Sequence, residues 1–202
     1  MRGAPSPPFA APVPLPGKGR VCVESGAMEI LFLSAAVAWA TAGAGWDIAS
    51  RRIPNLLSYS GVLVGILLRT GILGWRGLAT ALAGGALAGG VFFLLYLVRG
   101  MGAGDVKLMA AMGCLAGFPG VVQIMVACAL AGGIMALGVA FYRSSALRTL
   151  RNVWELLRFH AAHGAQVHPT LNIDNPQAIR LPYALAIAAG SGYALLDAVL
   201  AR

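Results

Sequence analysis

Long apolar runs, separated by short polar or glycine- and proline-rich stretches, dominate the chain after residue 27. We predict six hydrophobic segments, at about 28–46, 54–73, 77–98, 104–118, 119–142 and 180–200. A helix needs roughly 20 residues to cross the hydrocarbon core of a bilayer, and every segment except the fourth approaches that length. The fourth is short and glycine-rich, and it joins the fifth through the turn signal Phe118-Pro119-Gly120. The pattern predicts an all-α membrane protein with about six transmembrane helices.

The N-terminal segment 1–27 differs from the rest of the chain. It is rich in proline, glycine and alanine and lacks helical periodicity, so we expect a disordered tail. Its first twenty residues contain no apolar region of the kind that a secretory signal needs. Met28 immediately precedes the first apolar run, and we consider it a candidate for the true start of translation. Residues 28–202 are expected to form a single polytopic domain.

The long connection between the fifth and sixth segments, 143–179, contains an amphipathic pattern. One helical face is apolar and consists of Leu147, Leu150, Val153, Trp154, Leu157 and Ala161. The opposite face is mostly basic and consists of Arg148, Arg151, Glu155 and Arg158. Such a pattern is typical of an interfacial helix that lies on anionic lipid. A solvated helical hairpin is the alternative interpretation.

The composition agrees with a membrane protein. Hydrophobic residues make up 58% of the chain, charged residues 11%, and the mean hydropathy is +0.77, whereas soluble domains carry about 25% charged residues. The net charge of +8 comes mostly from residues between apolar segments, so it indicates membrane topology and contacts with lipid headgroups rather than binding to nucleic acid.

The distribution of lysine and arginine predicts the orientation. With six spans, the side reached by the loops after spans one, three and five carries nine of these residues and the other side carries six. Basic residues favour the cytoplasmic side. We therefore expect an inner-membrane protein whose nine-cation side faces the cytoplasm.

Small residues and potential metal ligands add two further expectations. Glycines recur at small-xxx-small spacing, which lets helices approach closely, at Gly61 and Gly65, Gly85 and Gly89, and Gly113 and Gly117. His160 and His163 have a spacing that could hold a metal ion, but no nearby acid or cysteine completes such a site. We expect no metal and no cofactor.

Two of the seven acidic residues, Asp47 and Asp105, lie at the edges of apolar segments. A carboxylate costs roughly 2.5–3.5 kcal/mol at the centre of a membrane, so acids near a bilayer usually have a function. An even number of predicted crossings separates the two, which puts both at the cytoplasmic edge. Carboxylates brought together there could share a proton and activate a water molecule. The alternative is that each is a solvated, unpaired residue at a helix boundary.

Each aspartate lies in a short motif. Asp47 precedes Ile53-Pro54-Asn55, in which proline is suited to a first helical turn and Asn55 could cap that turn or bond near Asp47. Asp105 lies in Gly102-Ala103-Gly104-Asp105-Val106-Lys107, where Gly102 and Gly104 free the backbone and leave room for an extended substrate beside the carboxylate. Read singly, the motifs also fit an ordinary basic loop and a glycine-rich helix start.

Together these motifs resemble those of the type IV prepilin peptidases, membrane aspartic proteases of the GxGD group. The resemblance covers roughly 28–200 and includes a third motif, Leu181-Pro182-Tyr183 followed by Ala186-Ile187-Ala188. Members often have glycine after the Pro-Tyr pair, where this chain has Ala184. Members that also have N-methyltransferase activity usually carry a cysteine-rich insert after span one, where this chain has only a short loop. The chain therefore looks like the small peptidase-only members of tight-adherence (Flp-type) pilus systems.

The resemblance implies that Asp47 and Asp105 are the catalytic pair and that a prepilin with a basic leader is the substrate. Gly102, Gly104, Lys107, Pro54 and Asn55 would bind substrate or support the motifs. Two alternatives come from other classes of protein: a small transporter whose acids bind ions, and a non-catalytic component of a pilus or secretion assembly.

Overall fold

The computed structural model describes residues 18–118, 120–142, 146–164 and 182–201, together with residues 166 and 171. The described residues form six helices and no strand, which confirms the predicted all-α class. The helices are α1 (Lys18–Ser50), α2 (Asn55–Leu97), α3 (Ala103–Ala116), α4 (Gly120–Tyr142), α5 (Ala146–His163) and α6 (Tyr183–Leu200).

The first helix begins earlier than the apolar pattern predicted. α1 starts at Lys18, so residues 18–27, part of the predicted disordered tail, are helical. Residues 1–17 lie outside the described part of the chain, and the tail remains a prediction there. The proposed start of translation at Met28 likewise remains a prediction.

The second and third predicted segments are the two arms of α2. Gly74 interrupts the helix with φ 60° and ψ −140°, a conformation that glycine adopts more easily than other residues. Arg69 Nε lies 3.3 Å from Thr80 Oγ1, although eleven residues would rise about 16 Å in a straight helix. The chain therefore reverses at Gly74, and the arms 55–73 and 75–97 form a hairpin.

Within the described part of the chain, four helical stretches are long and apolar enough to cross a membrane: 26–50, 55–97, 120–142 and 183–200. α3 is not among them, because its 14 residues rise only about 21 Å. The predicted short fourth segment is thus confirmed as a short helix. Six complete crossings and an interfacial position for α5 stay predictions.

α3 lies at the centre of the bundle, between both arms of α2, with α1 alongside. All residues from Leu108 to Ala116 except Ala110 are buried. Close approach depends on glycine: a Cβ atom on Gly65 would lie 2.7 Å from the backbone of Cys114, and one on Gly113 would clash with the backbone of Gly84. The predicted close packing at small-xxx-small pairs is confirmed at these positions.

Arg69 holds the C-terminal end of α3. Its side chain is only 7% exposed, and Nη1 donates hydrogen bonds to the carbonyl oxygens of Ala116 at 2.8 Å and Leu115 at 3.3 Å. The guanidinium also lies 4.4 Å from the centre of the Phe32 ring. Arg69 is one of the six cations counted on the side opposite to the predicted cytoplasmic side, and its charge is bound inside the bundle.

Candidate active site

Asp47 and Asp105 lie at the same end of the bundle, on facing helices. Ile53, just after α1, packs against Gly104 in the first turn of α3, so α1 ends where α3 begins and the two helices are antiparallel. A Cβ atom on Gly43 would lie 2.8 Å from Leu108 Cδ2. One turn further along α1 is Asp47, and one turn back along α3 is Asp105, so the register of the contact brings the two carboxylates together.

The environment of Asp105 favours its neutral form. Asp105 lies in the first turn of α3, outside the four candidate spans. Burial, and secondarily the neighbouring Asp47 carboxylate, raise the pKa of Asp105 to about 6, while a hydrogen bond from the backbone of Gly102 acts in the opposite direction. The electrostatic effect of Asp47 agrees with the register of α1 and α3.

The two motif glycines leave little space for a side chain. A Cβ atom on Gly102 would lie 3.3 Å from Asp105 Oδ2, and one on Gly104 would lie 3.3 Å from Ile53 Cβ. Gly102 also adopts an extended conformation just before the helix, with φ −81° and ψ 150°. The glycines thus allow the α1–α2 connection and the backbone before α3 to approach the carboxylate closely.

The remaining motif residues join α2 to α3. Pro54 precedes the first residue of α2, and its carbonyl oxygen accepts a hydrogen bond from the N–H of Leu57 at 3.1 Å. We expected Asn55 to cap this turn or to bond near Asp47; instead its Oδ1 accepts a hydrogen bond from Lys107 Nζ at 2.9 Å. Lys107 Nζ also lies 5.5 Å from the centre of the Tyr59 ring. Lys107 therefore fixes the start of α2 against α3.

Three residues near this end were not predicted as parts of the site: Phe92, Cys128 and Tyr183. The Tyr183 ring lies edge-on to the Phe92 ring with centroids 6.1 Å apart, and its hydroxyl is hydrogen-bonded with the Cys128 thiol. Asp105 is close enough to act electrostatically on both Tyr183 and Cys128. The Pro-Tyr pair of the third motif was the sequence signal for this contact. Its Leu181 lies outside the described residues.

Asp197 belongs to the opposite end of the bundle. α6 begins beside the site with Tyr183, and Asp197 lies fourteen residues further along it. Its Oδ2 accepts a hydrogen bond of 2.7 Å from Gln123 Nε2 in α4. This hydrogen bond joins α4 to α6, and Asp197 is therefore not part of the Asp47–Asp105 pair.

The site contains the elements of acid–base chemistry on a water molecule. Asp47 and Asp105 are both partly accessible, and the environment of Asp105 favours retention of a proton beside the second carboxylate. In a pair of neighbouring carboxyl groups, the one that keeps its proton can act as the acid and the other as the base of one reaction.

Comparisons with known proteins assign the chain to a family. A family model described as "Type IV leader peptidase family" matches residues 34–137, about half of the chain, and this match includes both Asp47 and Asp105. Searches of curated proteins and of solved structures gave no match. The chain belongs to the type IV leader peptidase family.

Proposed function

We propose that the protein is a membrane-embedded aspartic endopeptidase that removes the basic leader of type IV, Flp-like prepilins at the cytoplasmic face of the inner membrane. One observation carries the proposal: Asp47 and Asp105, fifty-eight residues apart in the chain, are brought together where α1 ends and α3 begins. Membership of a leader peptidase family supports the same activity.

The two carboxyl groups have different roles in the proposed reaction. Burial and the nearby Asp47 raise the pKa of Asp105, so Asp105 holds the shared proton and donates a hydrogen bond to the scissile carbonyl oxygen. Asp47 accepts a proton from water, and the resulting hydroxide attacks the carbonyl carbon. The C–N bond of the tetrahedral intermediate then breaks as the leaving amine takes up the proton that Asp47 accepted from water. Asp47 thereby returns to its initial state, and Asp105 keeps its proton.

The substrate must present an unfolded peptide bond to these groups. In the proposed complex, the extended chain lies along the surface left open by Gly102 and Gly104, where additional side chains would meet Asp105 or Ile53. The apolar helix of a prepilin would cross the membrane beside the bundle. Its leader junction would then lie at the level of the two carboxylates.

Two further features support a cytoplasmic site. Arg51 and Arg52 are exposed in the connection between α1 and α2, at the site end, as expected for a cytoplasmic loop. α5 follows α4 at this end and exposes Val153, Trp154 and Leu157 by 51%, 63% and 60%. We propose that these side chains insert into the interface of the inner leaflet.

Co-expression with a candidate prepilin tests the proposed function. We expect a leader-sized decrease in pilin mass with the wild-type protein and none with Asp47→Asn or Asp105→Asn. Asp197→Asn is the matched control, since this exposed carboxylate lies at the other end of the bundle, and it should cleave normally. Cleavage retained by both site variants would reject Asp47 and Asp105 as the catalytic pair, whereas no cleavage by the wild-type protein would favour a transporter or an assembly component. The mature pilin should carry an unmethylated N-terminus.

A further inference from the structure

Tyr183 is held in place by three helices around the interior side of the site. It is the first residue of α6, its ring packs edge-on against Phe92 of α2, and its hydroxyl bonds with Cys128 of α4. A Cβ atom on Gly132, also in α4, would lie 3.1 Å from the Tyr183 ring and 3.4 Å from its hydroxyl. The absence of a side chain at Gly132 therefore creates the space that the tyrosine occupies.

The packing of α2 against α3 places this ring near the level of Asp105. A Cβ atom on Gly89 would lie 3.1 Å from Ala110 Cβ, and the second arm of α2 runs antiparallel to α3. Phe92 lies three residues after Gly89, and Val106, the neighbour of Asp105, lies four residues before Ala110. Because the two helices are antiparallel, Phe92 is therefore near the level of Asp105. Because Tyr183 covers Phe92, which is buried, it forms part of the wall at that level.

We propose that Tyr183 is a positioning residue for Asp105, forming the inner wall that keeps water away from this carboxyl group. The inference rests on the proposed function, because it concerns the proton that Asp105 holds during peptide hydrolysis. Tyr183 acts here through its ring, and the space at Gly132 sets the position of that ring. Contact of Tyr183 with the substrate is not required.

The wall has a specific consequence for the dependence of activity on pH. Among the described residues, the titratable groups around Asp105 are Asp47 from α1, Cys128 from α4 and Tyr183 from α6, whereas Lys107 is bound to Asn55 of α2. Burial is the largest cause of the raised pKa of Asp105. If water enters, this pKa falls, and the shared proton is lost at a lower pH. The alkaline limb of the activity profile then moves toward lower pH.

The experiment compares kcat/KM against pH for purified variants acting on a prepilin substrate. Tyr183→Leu removes the ring and should move the alkaline limb down by roughly 0.5–1 pH unit, while Tyr183→Phe keeps the ring and should retain the wild-type limb. Tyr193→Leu is the control on the same helix, because Tyr193 is 55% exposed. A purely structural role would reduce the amplitude of the profile without moving the limb.

A second pair of variants tests the wall without changing Tyr183. Gly132→Ala should displace the ring and lower the limb, whereas Gly133→Ala should have no effect, since a Cβ atom there would meet nothing within 4 Å. If Tyr183→Leu does not accumulate, this pair decides the question. An unmoved limb in Gly132→Ala, or in a folded Tyr183→Leu, overturns the inference while leaving the peptidase function intact. A wild-type protein that does not cleave prepilin overturns the proposed function and this inference with it.

Discussion

Lys107 Nζ donates a 2.9 Å hydrogen bond to Asn55 Oδ1 and so joins the motif that contains Asp105 to the motif that follows Asp47. The bond spans fifty-two residues of sequence and links the first turn of α2 to the first two turns of α3. It holds the α1–α2 connection, and with it Ile53, against Gly104. We therefore expect the separation of the two carboxylates to depend on this contact, which involves neither of them.

We expect Lys107→Met and Asn55→Ala each to reduce prepilin cleavage by about tenfold, because either change breaks the same bond, which contributes about 1.5 kcal/mol. The double variant should be little worse than either single variant. A double-mutant cycle on kcat/KM measures this coupling. Fully additive losses would show that the two residues act separately.

Asp105→Asn should stabilise the protein at alkaline pH. The folded-state pKa of Asp105 is raised to about 6 from an ordinary 3.8, so the folded protein binds more protons than the unfolded protein between these values. The stability that protonated Asp105 contributes is therefore fully present below its ordinary pKa of 3.8 and is lost as the pH rises through its folded-state pKa of about 6. We expect Asp105→Asn to gain about 1–2 kcal/mol near pH 8 and nothing near pH 4.

Thermal unfolding in detergent at the two pH values measures this gain. Asp197→Asn is the control, because it replaces an exposed carboxylate. Its effect on stability should be small and the same at both pH values. A gain for Asp105→Asn that does not depend on pH would contradict the explanation by burial.

Gly113→Ala should disrupt the bundle. A Cβ atom at this position would clash with the backbone of Gly84, so α2 and α3 would have to separate. We expect the free energy of unfolding to fall by roughly 1–3 kcal/mol. Thermal unfolding of the protein in detergent measures this loss. Gly90→Ala serves as the control, since a Cβ atom at Gly90 would meet nothing within 4 Å. Equal melting of the two variants would argue against close packing of α2 on α3.

Arg69→Met should destabilise the end of α3 that is remote from the site. It removes the donors to Leu115 and Ala116 and the bonds to Thr80, and we expect a loss of about 2–4 kcal/mol. Arg69→Lys keeps the charge but loses the planar fork, so its effect should be intermediate. Arg76→Met, at an exposed arginine near the hairpin, should melt like the wild type.

Apolar periodicity was sufficient to predict the main elements. Runs of apolar residues indicated α1, α2, α3, α4 and α6, and an amphipathic pattern indicated α5; the break between the predicted segments 54–73 and 77–98 coincides with the turn that Gly74 makes inside α2. That Asp47 and Asp105 lie at the same end of the bundle was also predictable, because it follows from the number of crossings between two motifs; their pairing was one of two alternatives that topology left open. These features depend on local sequence and on topology alone.

Side-chain partners were less predictable, since they depend on which helix faces which. Arg69 resembled a residue in a loop between two short spans, yet it binds carbonyl oxygens forty-six and forty-seven residues away. Tyr183 was part of a motif, but its contacts with Phe92 and Cys128 come from the mutual rotation of α2, α4 and α6. The helical start of α1 at Lys18 was missed because its first turns lack an apolar stripe.

Cross-linking between positions 47 and 105 tests most directly that the two acids meet. In a protein with its three cysteines replaced by serine, Asp47→Cys is combined with Asp105→Cys and treated in membranes with a short bifunctional thiol reagent. The matched pair combines Glu29→Cys, eighteen residues before Asp47 on α1, with Asp105→Cys. We predict efficient intramolecular cross-linking for the first pair and none for the second; equal yields, or none for the first pair, would contradict a shared site.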